Sequence, residues 1–208
     1  MVRPVETILR ALEKAYPQAH CALAHDNPFE LLVATVLSAQ CTDKRVNQVT
    51  PLLFARYPEA ASLAQARQSE LEKIIYSTGF YRNKAKHLIA MAKALMALYG
   101  GQVPADMKAL VALPGVGRKT ANVVLGNAFG IAGGVVVDTH VGRIARLLGL
   151  TKAQMVEKVE ADLIRCVPRS KWILLPHLLI EHGRQICVAR RPRCGQCVLA
   201  TNCPSCLI

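Results

Sequence analysis

Aromatic side chains are scarce in this chain, with one tryptophan, four phenylalanines and five tyrosines among 208 residues. The hydrophobic content is nonetheless 52%, so the core falls to Leu, Val, Ile and Ala, a composition that suits packed helices. Acids are scarce too, 14 against 26 Lys and Arg, for a formal net charge of +12. Between Lys73 and Lys152 only Asp106 and Asp138 oppose eleven cations, and after Glu181 no acid follows although Arg184, Arg190, Arg191 and Arg193 do. Such asymmetry points to a polyanionic partner, nucleic acid first. A basic surface with no partner is the plain alternative. Attraction to anionic lipid is disfavoured, because neither a basic amphipathic anchor nor a lipidation signal is found.

Long apolar runs are missing. The stretch WILLPHLLI, from Trp172 to Ile180, is too short to span a bilayer and is broken by Pro176 and His177. The opening MVRPVETILRALEKAYPQ reads as an amphipathic helix rather than a signal peptide. Alternating β-like patterns are nearly missing as well. GGVVVDT, Gly133 to Thr139, is too isolated to build a sheet and is expected to be an extended connector. Fixed-period repeats and low-complexity tracts are not found. What is present is helical spacing: FELLVATVLSAQ, ELEKIIYST, HLIAMAKALMALYG, DMKALVAL, KTANVVLGNAF and HVGRIARLLGL all carry apolar residues on one helical face. An all-α fold is therefore expected, with a polar, Cys-rich tail as a small separate module. Five of the eight cysteines fall in the last 22 residues. Without an export signal, that clustering points to a metal site rather than to disulfides.

Asp106 is placed to cap a helix over Met107–Leu113, and Gly100, Gly101 and Pro104 mark the break before it. The chain then runs Leu113-Pro114-Gly115-Val116-Gly117 into a second helix, a helix-hairpin-helix pattern spanning about 106–129. Gly115 and Gly117 permit positive φ and would leave the amides of Gly115, Val116 and Gly117 open beside a helix N-terminus, where an anion such as phosphate binds. A tight helical corner without a ligand is the alternative. A P-loop is excluded, because Arg118 separates the glycine from the lysine and a helix precedes.

Arg118 and Lys119 occupy the first helical turn, where the helix dipole opposes positive charge. An amine nucleophile must be uncharged, and lowering a lysine from about 10.4 to about 7–8 means destabilising its cation by about 4 kcal/mol. The helix start, Arg118 and a dry cleft would push that way, so Lys119 is placed as a nucleophile would be. A solvated lysine greeting a phosphate is the competing role. Asp138, the only acid from Met107 to Val156, directly precedes a helical pattern and reads as an N-cap. A cap carboxylate is rigidly held, and could also take a proton from Lys119 or stabilise positive charge on a sugar.

LPGVGRKTANVVL followed by VDTH resembles the helix-hairpin-helix DNA glycosylases of the endonuclease III type. The resemblance extends from LLVATVLSAQCTD through STGFYRNKA to the cysteine tail. It implies a two-lobed all-α fold: residues 21–132 as a six-helix barrel domain ending in the hairpin, and residues 1–20 with 133–208 as a helical iron–sulfur domain. Lys119 and Asp138 would then face each other across the cleft, with double-stranded DNA bearing damaged bases or abasic sites lying along its basic mouth. By the same resemblance Lys119 attacks the deoxyribose C1′, Asp138 assists, and a Schiff base leads to β-elimination and a cut 3′ to the lesion. Oxidised pyrimidines are the substrates implied. Extruding a damaged base costs a few kcal/mol, and Gln40 and Phe80 map onto the side chains that fill the vacated stack. Read without the family, Gln40 would be a polar helix end and Phe80 a core aromatic after a turn at Gly79. His140 is a pocket or backbone contact, or a structural histidine.

In the tail, Cys187-x6-Cys194-x2-Cys197-x5-Cys203 resembles the family's iron–sulfur loop, and four thiolates suit a [4Fe–4S] cluster. Arg190, Arg191 and Arg193 lie in its first loop, where they could meet DNA phosphates. Cys206 offers another set, Cys194, Cys197, Cys203 and Cys206, with two CxxC pairs that would suit zinc but would strand Cys187. Cys21, Cys41 and Cys166 read as core thiols. Gly142 and the segment GIAGGVVV are looser than the family pattern. A monomer of the cytoplasm, associated with the nucleoid, is the expected setting. Two rivals share these features: a monofunctional mismatch or damage glycosylase, and a non-catalytic DNA-structure-binding protein.

Overall fold

The computed structural model describes residues 5–207. Among them every regular element is helical and no strand occurs. The chain forms two compact units, Ala22–Ile131 and, separately, Met1–Cys21 with Ala132–Ile208. No described helix is long and apolar enough to cross a membrane.

The unit 22–131 is built around α2 (Pro28–Leu37). Asn27 caps it, its Oδ1 accepting from Glu30 N at 3.0 Å, and Pro28 occupies the first position, where no backbone donor is needed. Phe29 and every residue from Leu31 to Leu37 are buried. A helix apolar on all sides belongs at the centre of its unit, and α3 (Asp43–Arg56), α6 (Tyr81–Tyr99) and α8 (Arg118–Phe129) pack around it. The shorter α4 (Ala60–Ala64) and α5 (Gln68–Ile75) cover α6, a 3-10 turn runs Tyr76–Thr78, and α7 (Met107–Val111) leads into α8.

The other unit holds α1 (Val5–Ala15), α9 (Thr139–Leu147), α10 (Val156–Cys166) and α11 (Leu174–Gln185). Ile8 and Leu12 of α1 meet Val141 and Ile144 of α9, Leu163 of α10 and Leu179 of α11 in one core. Val135 and Val137 of the extended connector are buried in it too, and this fixes the approach to α9. The first four residues of the expected N-terminal helix lie outside the described residues.

Several elements differ from the sequence pattern. α2 stops at Leu37 instead of reaching Gln40, because Gln40 takes a left-handed φ of 55°. α6 begins at Tyr81 rather than His87, its polar first turn burying Lys84 and Ala85. α3 and α11 carry internal prolines that hid them. Pro176 falls in the first turn of α11, where its missing N–H costs little.

Candidate active site and cysteine centre

In the unit 22–131 the hairpin is formed as its sequence requires, with exceptions at Val116 and Gly117. Asp106 caps α7, its Oδ1 accepting from Ala109 N at 2.8 Å. Val116 N donates to Leu113 O at 3.1 Å, so this amide closes the turn and is not open to a phosphate, and the Val116 side chain is buried. Gly115 alone uses positive φ, at 78°, whereas Gly117, the N-cap of α8, lies at −94°. The amides of Gly115 and Gly117 have no backbone acceptor among the described residues. A Cβ on Gly115 would stand 2.8 Å from His87 Cβ, while one on Gly117 would meet nothing within 4 Å.

The two glycines are therefore separable by experiment. Gly115→Ala forces a left-handed alanine against His87 and is expected to destabilise the fold by about 1–3 kcal/mol. Gly117→Ala is expected to leave thermal unfolding within about 0.5 kcal/mol of the parent while weakening DNA binding, since its methyl stands on the open side of the turn. Equal melting of the two variants would show that the turn does not depend on Gly115.

Lys119 is the second residue of α8 and is exposed. The dry surroundings expected for it are not supplied by the protein itself. Gln40 is exposed. Phe80 is 64% exposed at φ 46°, which rules out a core aromatic. Gln40 and Phe80 are the only non-glycine residues with positive φ among those described. Each such conformation costs about 1–3 kcal/mol and persists only where its surroundings impose it.

In the other unit Asp138 caps α9, its Oδ1 accepting from Val141 N at 2.8 Å. Its Oδ2 lies 3.5 Å from His140 Nδ1, and the side chain is 24% exposed. One carboxylate oxygen is thus committed to the helix and the other remains reachable. His140 in turn is braced by Gly183 of α11, where a Cβ would come within 2.9 Å of His140 Cδ2 and 2.8 Å of Ile144 Cδ1. The sequence pattern offered no sign of that close helix approach. A Cβ at Gly142 would meet only ordinary contacts, Arg146 Nη1 at 3.5 Å and Val137 Cγ1 at 3.6 Å.

Cys187, Cys194, Cys197, Cys203 and Cys206 line one cavity of about 640 Å³. Burial pushes the Cys197 and Cys203 thiols up, and the neighbouring cysteines add to this in both cases. Such mutual repulsion between buried sulfurs is what a bound cationic centre relieves. The sulfurs also have outer partners: Arg143 Nη1 donates to Cys187 Sγ at 3.6 Å and Arg143 Nη2 to Cys187 O at 2.6 Å. His182 Nε2 lies 3.6 Å from Cys197 Sγ, and Tyr16 Oη lies 2.9 Å from His182 Nδ1. Burial, with Arg143 nearby, lowers the His182 pKa to about 4, so the ring is neutral. Burial also holds the proton on Tyr16. The two ring nitrogens of the neutral His182 thus link the Tyr16 hydroxyl to the Cys197 sulfur. Arg190, Arg191 and Arg193 are exposed, and Arg193 N closes the loop on Ile186 O at 2.9 Å. The donor set fits an iron–sulfur cluster, since five cysteines line this cavity and such a cluster takes four thiolates. The cysteines themselves join the tail to α9 and α11, through Arg143 and His182.

Residues 33–169 match the HhH-GPD superfamily of base excision DNA repair proteins, and residues 187–203 match the iron–sulfur binding domain of endonuclease III. The chain is 52% identical to endonuclease III of Synechocystis sp., over 95% of this chain and 90% of the relative. The chain belongs to the endonuclease III family. It is 45% identical to the Bacillus subtilis endonuclease III, over 97% of this chain and 92% of that protein. A trapped endonuclease III–DNA covalent intermediate superimposes on it with a TM-score of 0.91 at 44% identity, covering 97% of this chain and 94% of the other. The protein is an enzyme of base excision repair, a DNA glycosylase/AP lyase, and its cofactor is a [4Fe–4S] cluster. When bound, the cluster supplies a rigid covalent tie among four cysteines.

Proposed function

We propose that the enzyme removes oxidised pyrimidines from double-stranded DNA, with Lys119 as the nucleophile and Asp138 as the assisting carboxylate. The observation that carries this reading is the exposed Lys119 amine, two residues beyond the Gly117 amide at the open N-terminus of α8. A phosphate held by the Gly115 and Gly117 amides brings the adjoining sugar to that amine.

The uncharged Nζ of Lys119 attacks C1′. A bond forms there, and the glycosidic bond breaks with its electron pair leaving on the base. Asp138 takes the proton released by the amine, or offsets positive charge on the sugar through the Oδ2 that the helix cap does not use. Ring opening gives an iminium, which acidifies C2′–H. Loss of that proton expels the 3′ phosphate and cuts the strand. Gln40 and Phe80 enter the stack as the base leaves it. His140, Arg190, Arg191 and Arg193 contact the DNA backbone. The enzyme works as a monomer in the cytoplasm, on the nucleoid, with 1–20 and 133–208 as its cluster lobe and 21–132 as its barrel lobe.

A panel of duplexes, each with a single lesion, tests the substrate assignment. Thymine glycol and abasic sites are expected to be processed with strand cutting, and an undamaged mismatch to be left intact. Release of a mismatched base without a cut would replace this reading with a monofunctional one.

A further inference from the structure

The unit 22–131 contains one buried lysine that no step above uses. Lys84 is 5% exposed. Its Nζ donates to Leu37 O and to Thr78 O, each at 2.7 Å. These acceptors come from two separate segments. Leu37 is the last residue of α2, and Thr78 the last of the 3-10 turn. Three residues beyond the first carbonyl stands Gln40, and two beyond the second stands Phe80, the only left-handed non-glycine residues described. Lys84 also holds Phe80 through its backbone, Lys84 N donating to Phe80 O at 3.0 Å.

We propose that Lys84 is a positioning residue for lesion extrusion: its ammonium ties the loop of Gln40 to the loop of Phe80 and fixes the spacing at which the two side chains enter DNA. The chemistry suits the task. Carbonyls at a helix end lack intrahelical partners, and a cation is favoured at the C-terminus of α2. A buried ammonium is retained only where hydrogen bonds compensate it, so both carbonyls must stay in place for the charge to stay. Each loop alone would be free to relax its left-handed residue. Linked through one Nζ, neither moves without the other. Lys84 touches neither substrate nor reacting atoms.

The proposal rests on the reading that Gln40 and Phe80 insert into the duplex, and the test separates the two. Single-turnover base release from a thymine glycol duplex is measured beside borohydride trapping on a single-stranded abasic oligonucleotide, which needs no extrusion. Four proteins are compared: the parent, Lys84→Met, Gln40→Ala/Phe80→Ala, and the three substitutions together. Lys84→Met is expected to slow release from the duplex by about 10- to 100-fold, as a misplacement near 1 Å does. It is expected to leave single-strand trapping within about twofold, and to add little once Gln40 and Phe80 are truncated. Equal slowing on both substrates, or full additivity with the double truncation, overturns the proposal by making Lys84 a general support of the fold. A double truncation that releases base at the parental rate overturns the insertion reading, and the clamp with it. Lys84→Arg keeps charge and donors while displacing the carbonyls, so it answers the question even if Lys84→Met does not fold. Slowing confined to the duplex supports the clamp, and unselective slowing or none overturns it.

Discussion

Borohydride added while the protein acts on abasic DNA is expected to leave a covalent adduct that Lys119→Ala abolishes, with strand cutting reduced by about 10³-fold or more. The argument is chemical before it is positional. Only an imine between a protein amine and C1′ is reduced to a stable secondary amine, so the trap reports the nucleophile itself. Among the lysines of the hairpin unit, Lys84 is excluded because its Nζ is buried between two carbonyls. Lys119 is exposed in the first turn of α8, directly after the turn of Gly115 to Gly117. Lys119→Arg should be as inactive, since a guanidinium remains protonated and forms no such imine. Neither variant should lose stability. An exposed cation in the first turn opposes the helix dipole, and its removal is expected to change unfolding by +0.3 to about +1 kcal/mol in favour of the fold. A dead enzyme that melts no earlier than its parent is a result that general damage cannot mimic. Retention of the adduct in Lys119→Ala would move the nucleophile elsewhere.

The parts of this site that the sequence displays are those made by consecutive residues. LPGVG announces a turn because a backbone demand such as the φ of 78° at Gly115 leaves glycine behind, and VDTH announces a cap because Asp138 reaches only three residues forward to Val141 N. The same signal overreached at Gly117, which has an ordinary φ, and at Val116, whose amide closes the turn. What stayed hidden depends on distant partners. Lys84 bonds a carbonyl 47 residues away, and Tyr16 bonds a histidine 166 residues away. Gly183 looks like any helical glycine until Ile144 and His140 are found against it. Helices α3 and α11 escaped because Pro51 and Pro176 interrupt their pattern. Phe80 shows the opposite case. Its hydrophobicity argued for the core, and only a fold that holds it left-handed and exposed shows that the aromatic is presented outward.

Asp138→Asn is expected to lower turnover by about 10²- to 10⁴-fold while leaving the fold intact. The separation is possible because the carboxylate has two duties that asparagine divides. Asparagine caps a helix as well as aspartate does, and its amide oxygen can still accept from Val141 N, the bond that Oδ1 makes at 2.8 Å. α9 should therefore start in the same place, and Val141 and Ile144 should stay in the core they share with α1 and α11. The negative charge is lost, and with it the ability to take a proton from the amine or to offset charge on the sugar. Asp138→Ala provides the contrast. It loses the charge and the cap together, so unfolding should fall by about 1 kcal/mol as well. If charge is the catalytic element, the two variants share a rate defect and differ in stability. A rate in Asp138→Asn close to that of the parent would leave Asp138 with its cap alone, and the proton from Lys119 would need another acceptor.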